Sequence, residues 1–452
     1  MTIEKRRARV NRFLDHRVGR VHESLDEFVR DPRGRRGRRQ EERRKLSTML
    51  HALFAGMLAC DRGLRDVEER SEELGLMDGD EPVGRIPDTT MGDLLAKLDP
   101  DDFEQPLVRQ VRDMTRRKEL APVGLPCGVA TVDGKAMGKL THDAEGHALR
   151  QADDDGNAFW YVRVLRSVLS SAAGKPCIGQ RTIPGREGEI TNFPAFATWL
   201  HETYGRHGLF EIFDVDAGFF SRKVFEFIDQ QLEYGLVVGL KENQPELLAA
   251  AQSALGHMQE TAQPEVVTGW ERYQGTLMRR KLYRTAELDG WLGWKNLRQV
   301  WLVLQETATP PKGIQTRHHT APTQDWSIET EERYFATNLL WNRLEAPQIL
   351  LVVRNHWSVE NDCFHSLDVQ WGEDRPAWCA RGRAVVVLGW LRLLAYNLTQ
   401  NLRRRHLRRV HPKLKTTTPW RWRSMFRLIA GELPKLAKTW PNATMAGPSP
   451  AT

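Results

Sequence analysis

The chain changes from helical to strand-forming sequence at the run Gly128-Val129-Ala130-Thr131-Val132-Asp133-Gly134. Its β-forming residues, followed by an Asp-Gly pair, predict a strand that ends in a turn at Asp133-Gly134. Two strand patterns, a helix, a strand, a helix and a strand follow at 159–169, 177–183, 189–204, 209–215, 221–234 and 236–241. Three strands followed by alternating helices and strands predict an α/β fold, a ribonuclease-H-like mixed sheet with flanking helices.

The sequence on either side of this pattern divides into segments of different composition. A helical region precedes the sheet, and a long interval rich in tryptophan and β-forming residues interrupts it. The pattern resumes with a helix near Glu345-Ala346-Pro347, where proline suits a first helical turn. We therefore predict a basic N-terminal arm (1–45), a helical domain (46–120), a first part of the α/β domain (121–242), a mainly β insertion (243–343), a second part of the α/β domain (344–412) and a basic C-terminal tail (413–452).

Basic residues are concentrated towards the two ends of the chain. The net charge is +7, with eight Lys or Arg residues in 33–45 and nine in 403–423, the latter interleaved with Trp420 and Trp422. Such clusters neutralise phosphates and release counterions, and tryptophan can stack on bases. A solvated surface face is the alternative interpretation of either cluster alone. Two clusters in one chain favour a nucleic-acid partner.

The composition also argues against several classes of protein. No apolar run approaches the ~20 residues that cross a bilayer, and the charged N-terminus lacks the apolar region of a secretion signal. The five cysteines are scattered and include no CxxC pair, which argues against a disulfide framework and a structural zinc site. We expect a cytoplasmic protein without a membrane partner.

One carboxylate occupies an unusual position in the stretch Arg354-Asn355-His356-Trp357-Ser358-Val359-Glu360-Asn361. At about 100° per residue, Glu360 falls on the apolar helical stripe that contains Val353, Trp357 and Leu367. A carboxylate on a buried face indicates an ion pair, a metal ion or an incorrect helix prediction.

Three carboxylates lie at places where an α/β sheet gathers ligands. Asp133 ends the first strand, Asp216 follows the fourth, and Glu360 lies on the helix after the insertion. Converging carboxylates suit hard divalent cations, and two such ions can hold the attacking and leaving oxygens of a phosphoryl transfer. Structural interpretations exist for each residue: Asp133-Gly134 is a common turn pair, Asp214 shares the parity of Asp216, and Asp368 is a rival to Glu360.

The sequence resembles the DDE transposases of bacterial insertion sequences, and most closely their ISAs-type branch. The resemblance extends over roughly residues 25 to 400. Its most specific motif is His356-Trp357-Ser358-Val359-Glu360-Asn361 with Glu373-Asp374-Arg375 downstream. The other motifs are Val132-Asp133-Gly134-Lys135-Ala136-Met137, Gly188-Glu189-Ile190-Thr191-Asn192, Asp216-Ala217 and Leu240-Lys241-Glu242-Asn243-Gln244.

The resemblance implies that Asp133, Asp216 and Glu360 are the catalytic, metal-binding triad, with Asp214 as the alternative second ligand. It implies two Mg²⁺ or Mn²⁺ ions, strand cleavage and strand transfer at the ends of an insertion sequence, and a bacterial, nucleoid-associated location on DNA. The partners would be double-stranded DNA, both terminal inverted repeats and target, and a second subunit in a synaptic homodimer. The helical domain (46–120) would bind DNA, and the two parts of the α/β domain (121–242 and 344–412) would form the catalytic domain. Candidate DNA contacts are Lys135, Lys241, Arg354 and His356. The alternatives are an inactive or domesticated DNA-binding relative and a ribonuclease-H-like nuclease.

Overall fold

A computed structural model describes residues 3–33, 46–78, 81–143, 147–153, 155–287, 293–406, 408–410, 417–437 and 440. Most of the first basic cluster (34–45), part of the second (407 and 411–416) and most of the predicted tail (441–452) lie outside the described residues.

Helices and strands alternate through the middle of the chain and helices dominate both ends. The α-helices are α1 (Ile3–Phe28), α2 (Leu46–Ala59), α3 (Leu64–Leu74), α4 (Asp88–Leu95), α5 (Glu104–Arg116), α6 (Glu189–Tyr204), α7 (Arg222–Glu226), α8 (Pro245–Thr261), α9 (Ala346–Ser358), α10 (His365–Trp371), α11 (Ala384–Asn401) and α12 (Trp422–Ala437). The strands are β1 (Met77–Asp78), β2 (Glu81–Pro82), β3 (Val129–Leu140), β4 (Ala148–Ala152), β5 (Ala158–Leu169), β6 (Cys177–Ile183), β7 (Ile212–Val215), β8 (Gly235–Leu240), β9 (Val266–Val267), β10 (Glu271–Tyr273), β11 (Thr276–Thr285), β12 (Gln299–Thr309), β13 (Ser327–Thr337), β14 (Arg408–Val410) and β15 (Thr417–Pro419). Short 3₁₀ or π segments are Pro100–Phe103, Gly205–His207, Ala217–Phe219, Phe227–Gln231, Thr316–His318, Val359–Phe364 and Leu402–His406.

The centre of the fold is a mixed sheet. β3 pairs with β5 and β5 with β6, all antiparallel, while β7 lies parallel to β3 and β8 lies parallel to β7. Helix α6 connects β6 to β7, and helix α7 with its π extension connects β7 to β8. This strand order and direction confirm the predicted ribonuclease-H-like mixed sheet with flanking helices.

Apolar side chains cover the two faces of this sheet differently. On one face, Phe193 and Phe196 of α6 are buried, and Phe193 contacts Phe213 of β7 edge to face. On the other face, Val129 and Ile212 belong to a cluster with Ile349 and Val353 of α9. The sheet is therefore a central layer between α6 and α9, and α9 lies over β7 and the beginning of β3.

The N-terminal segment differs from the predicted basic arm. Residues 3–28 form α1, whose buried face includes Val10, Leu14, Val18 and Leu25. These residues belong to the same apolar cluster as the sheet and as the fully buried helix α11. The apolar residues recur at helical spacing and therefore dock α1 on the helical region, even though arginines surround them.

The predicted β insertion extends the central sheet. β13 pairs with β8, and β12, β11 and β10 follow outward, all antiparallel. The interval also contains α8, a helix of 17 residues that the composition did not predict. Proline at its first turn and the buried Leu247, Ala251 and Leu255 are the local signals for this helix.

The first strand does not end at Asp133-Gly134, so the predicted turn is wrong. β3 continues to Leu140 and remains paired with β5 through Gly134↔Leu165 and Lys135↔Val164. Antiparallel hydrogen bonding to the long β5 stabilises the extended conformation at this pair of residues.

A buried ion pair joins two distant parts of the chain. The guanidinium of Arg166 on β5 donates to both carboxylate oxygens of Glu373 at 2.5 and 2.8 Å, and both side chains are fully buried. Arg166 also donates to Gln180 of β6. Burial opposes the charges, but Glu373 raises the pKa of Arg166, and Arg166 lowers the pKa of Glu373. The pair holds the segment after α10 against the sheet.

None of the described helices is long and apolar enough to cross a membrane.

Removal of one partner of this pair is predicted to destabilise the fold strongly. Glu373→Ala leaves the Arg166 guanidinium buried without its counter-ion, so the free energy of unfolding should fall by about 3–5 kcal/mol. Urea unfolding followed by circular dichroism measures the change. The matched control is Asp93→Ala, which removes the exposed partner of Arg381 and should cost far less. Equal losses in both variants would contradict the central role of the Arg166–Glu373 pair.

Candidate active site

Polar residues replace apolar ones along the same face of two neighbouring strands. On β3, Val129 is followed at alternate positions by Thr131 and Asp133; on β7, Ile212 is followed by Asp214 and then by Asp216. The register aligns Val129 with Ile212 and Thr131 with Asp214. Because parallel strands end at one edge of a sheet, this pattern places the carboxylates together at the point where β7 stops.

Helix α9 carries the third predicted carboxylate to this edge. Its N-terminus has a capping box in which Glu345 and Gln348 exchange hydrogen bonds with each other's backbone N–H groups. The helix then continues as a π-helical segment, Val359–Phe364, which begins one residue before Glu360.

The prediction that Glu360 lies on the buried stripe of the helix is wrong. Glu360 is exposed, although Val359 and Phe364 beside it are buried. A π turn contains more residues than an α turn, so the 3.6-residue projection fails across this segment. Among the described residues, none forms an ion pair with Glu360. Its negative charge contributes to the raised pKa of Asp133.

Asp214 is the buried partner of a histidine. Its carboxylate is fully buried, accepts a hydrogen bond from the Thr131 hydroxyl at 2.9 Å and lies 3.1 Å from Nδ1 of His356. Burial opposes protonation of His356, but Asp214, with help from Asp133 and Asp216, raises the pKa of His356 to about 9. At neutral pH His356 is therefore an imidazolium whose Nδ1–H donates to Asp214.

Asp133 lies in an environment that disfavours its charge. Burial raises the pKa of Asp133 to about 7; the hydrogen bond from the Gly134 N–H at 2.7 Å lowers it, and the charge of Glu360 raises it further. A cation beside two such neighbouring carboxylates would offset both the burial of Asp133 and the repulsion from Glu360.

Asp216 is more accessible than Asp214. Its side chain is 48% exposed, lies 3.6 Å from Nζ of Lys241 and precedes the 3₁₀ turn Ala217–Phe219. A pocket of about 420 Å³ is lined by Asp216, Lys241, His356 and Trp357, and also by Arg333 of β13. The guanidinium of Arg333 stacks on Trp357, 3.8 Å from the ring centroid.

A fourth carboxylate reaches the same edge from the opposite face. Glu189 is the first residue of α6, and its carboxylate lies against Gly134, where a β-carbon would be 2.1 Å from Oε1. Burial raises the pKa of Glu189, Arg163 lowers it and Asp216 raises it. Sequence reasoning included Glu189 in a motif but gave it no role. The sequence signal for this contact is Gly134, the glycine after Asp133, which on its own predicts a turn.

All four predicted DNA contacts form ion pairs with protein side chains. Lys241 and His356 pair with the aspartates described above. Lys135 pairs with Asp368 of α10, and its ammonium lies 5.6 Å from the Phe364 ring centroid. Arg354 pairs with Glu271 of β10 at 2.9 Å, and both side chains are substantially exposed. Asp368, the rival to Glu360, is thus the partner of a lysine.

The donor set matches a hard divalent cation. The carboxylates near this edge are those of Asp133, Asp216, Glu360 and Glu189, and carboxylate oxygens are the donor type that Mg²⁺ and Mn²⁺ prefer. Within the described ranges, no three histidine, cysteine, aspartate or glutamate side chains are grouped tightly enough to enclose an ion. Mg²⁺ sites commonly use only one or two protein carboxylates and complete the coordination shell with water and substrate phosphates. The arrangement therefore suits a metal that binds together with a phosphate substrate.

Comparison with known proteins identifies the family. A sequence model described as the transposase DDE domain matches residues 132–398, more than half of the chain. No curated protein matches the chain. A similar solved structure is the cryo-EM structure of the piggyBac transposase synaptic complex with hairpin DNA, at 12% sequence identity and a TM-score of 0.44, over 96% of this chain and 82% of that chain. The chain belongs to the transposase DDE domain family, whose members are enzymes that bind DNA, use divalent metal ions and catalyse DNA cleavage and strand transfer.

Proposed function

We propose that this transposase cuts DNA at the ends of a bacterial insertion sequence and joins the freed 3′-hydroxyl to target DNA, with Asp133, Asp216 and Glu360 as metal ligands. The observation that carries the assignment is the convergence of three elements at one sheet edge. Asp133 is on β3, Asp216 follows β7, and the π segment after α9 presents Glu360, whose charge acts on Asp133.

The surroundings of the two aspartates favour Asp216 over Asp214 as the second ligand. Asp214 is fully buried and contacts Thr131 and His356. Asp216 is half-exposed in the pocket, and its nearest cation, Lys241, is itself 64% exposed. A ligand must be able to meet a hydrated ion and a DNA phosphate, and only Asp216 has that access. The role of Asp214 is then to orient His356.

Two divalent ions, Mg²⁺ or Mn²⁺, would polarise the scissile phosphate and stabilise the charge that develops on the attacking and leaving oxygens. The protein side chains supply the remaining electrostatics. Asp214 holds Nδ1 of His356, which leaves Nε2 as the ring nitrogen that can donate to a phosphate oxygen. Lys241 can exchange Asp216 for a phosphate at little cost because their contact is exposed.

Other predicted contacts require rearrangement. Lys135 can reach DNA only if it leaves Asp368, so its structural role is to hold α10 against β3. The exposed Arg354–Glu271 pair opens more readily. The helical N-terminal region and the basic segments are assigned to the terminal inverted repeats, and synapsis of two element ends requires at least a homodimer.

The triad is predicted to be required for both chemical steps. Asp133→Asn, Asp216→Asn and Glu360→Gln should each lower cleavage and strand transfer by about a hundredfold or more, because each loses several kcal/mol of charge stabilisation. The assay uses a labelled element end with Mg²⁺ or Mn²⁺, and each variant is also tested for DNA binding in EDTA, which should be retained.

Glu246→Gln, which changes an exposed acidic residue in the first turn of α8, is the matched control and should remain active. Activity in Asp216→Asn together with its loss in Asp214→Asn would contradict the choice of second ligand. Normal cleavage by all three triad variants would contradict the catalytic assignment.

The pKa of Asp133 predicts a pH dependence of stability in the absence of metal. Because folding raises the pKa of this carboxyl from its ordinary value of 3.8 to about 7, its charge destabilises the folded state increasingly as the pH rises from 4 to 7, and the penalty is constant above 7. Asp133→Asn should therefore be more stable than the parent at pH 8 in EDTA, by on the order of 2 kcal/mol after solvent screening. The difference should vanish near pH 4.

Chemical unfolding at several pH values measures this difference. Addition of Mn²⁺ should reverse the order at pH 8, because the ion stabilises only the parent. A pH-independent difference would indicate that Asp133 is not strained by its surroundings.

A further inference from the structure

We infer that Glu189 is a fourth carboxylate ligand of the metal site, supplied by the N-terminus of α6 on the face of the sheet opposite to α9. The inference rests on the proposed function, because it adds a residue to the same site.

The first observation is the close approach of Glu189 to the backbone of β3. A β-carbon at Gly134 would lie 2.1, 2.4 and 2.7 Å from the carboxylate atoms of Glu189. The φ angle of Gly134 is not positive, and β3 runs through it without a turn. Backbone conformation therefore does not require glycine here. The absent side chain instead gives the Glu189 carboxylate its place next to Asp133.

The second observation is that this carboxylate lacks a direct counter-ion. None of the described residues donates a hydrogen bond to Glu189 or lies within ion-pair distance of it, so the Arg163 guanidinium acts on it only from farther away. Arg163 donates instead to the backbone carbonyls of Gly185 and Glu187, at 3.1 and 2.5 Å. Arg163 thus holds the loop that leads into α6 and forms no ion pair with the Glu189 carboxylate.

The third observation is the balance of charge at the sheet edge. The negative charge of Glu189 repels those of Asp133 and Asp216, and the negative charge of Glu360 repels that of Asp133. The cations in contact with the aspartates here are His356, held by the buried Asp214, and Lys241, 3.6 Å from Asp216. Carboxylates held together without matching cations repel one another. A divalent ion that accepts oxygen ligands from both faces of the sheet would relieve that repulsion.

A purely structural role for Glu189 predicts a different result. An acidic residue in the first turn of a helix favours the helix dipole, an effect that does not depend on metal. The two roles separate if stability and metal binding are measured independently of DNA cleavage.

The test is Mn²⁺ binding to the full-length protein by titration calorimetry, together with thermal unfolding in EDTA and in Mn²⁺. Glu189→Gln should lower the affinity for Mn²⁺ by about tenfold or more and reduce the Mn²⁺-induced rise in unfolding temperature, with little change in EDTA. Glu202→Gln, an exposed acid on the same helix, is the matched control and should bind as the parent does.

A second variant tests the geometry. Gly134→Ala should displace the Glu189 carboxylate and weaken Mn²⁺ binding in the same way. The double variant Gly134→Ala/Glu189→Gln should bind no more weakly than the more affected single variant, because both changes remove one interaction.

Two outcomes would overturn the inference, and they are distinguishable. Parent-like Mn²⁺ affinity in Glu189→Gln, with weakened binding in Asp133→Asn and Glu360→Gln, would remove Glu189 from the site and leave the proposed function in place. Parent-like affinity in all three variants would overturn the metal assignment of the proposed function as well.

Discussion

The buried Arg166–Glu373 ion pair is the constraint on which the placement of the site depends. Two fully buried charges in low dielectric tolerate little displacement, because separation exposes each to an apolar environment without its counter-ion. The pair fixes the segment after α10 to β5. Backbone hydrogen bonds from Gly138 to Glu373 and from Lys139 to Arg375 fix the same segment to the end of β3. These contacts hold the helical segment that carries Glu360 to the strand that carries Asp133. They lie C-terminal to Glu360 in the one and C-terminal to Asp133 in the other.

Within this frame, the polarity of each element changes where it reaches the sheet edge. Val129 and Ile212 of the strands pack against Ile349 and Val353 of α9. Further along the chain, Asp133 and Asp216 follow on the strands, and His356 and the exposed Glu360 follow on the helical segment. A packed apolar layer thus sets the positions of side chains that repel one another. Burial, and to a smaller extent the neighbouring carboxylates, raises the pKa of Asp133. The arrangement persists because the apolar layer and the buried ion pair hold the backbone in place.

Sequence periodicity predicted the helices and strands that short-range residue patterns determine. It failed where contacts between distant residues or an irregular helical turn determine the structure. The strand Cys177–Ile183 and the helix Glu189–Tyr204 have the predicted bounds, because alternation and helical spacing are properties of short segments. The outward orientation of Glu360 arises from a π turn, which a 3.6-residue projection does not represent. Gly134 indicates a turn when only its sequence neighbours are considered, because Glu189, whose carboxylate occupies the space of the missing side chain, lies 55 positions away. Likewise, the Arg166–Glu373 contact spans 207 residues. The order of strands was predictable, whereas the contacts that bring the carboxylates together were not.

The insertion is continuous with the catalytic sheet, and this continuity determines how it can influence the site. Tyr334 of β13 pairs with Leu240 of β8, one residue before Lys241. Backbone hydrogen bonds, rather than a linker, therefore set the distance between Arg333 and the pocket beside Asp216. Arg333 stacks on Trp357, the neighbour of His356, so the outer strands reach the site through two packed side chains. Substitutions in the insertion can thus alter the shape and charge of the pocket while the carboxylates remain in place, because those carboxylates are held by β3, β7, α6 and the segment after α9.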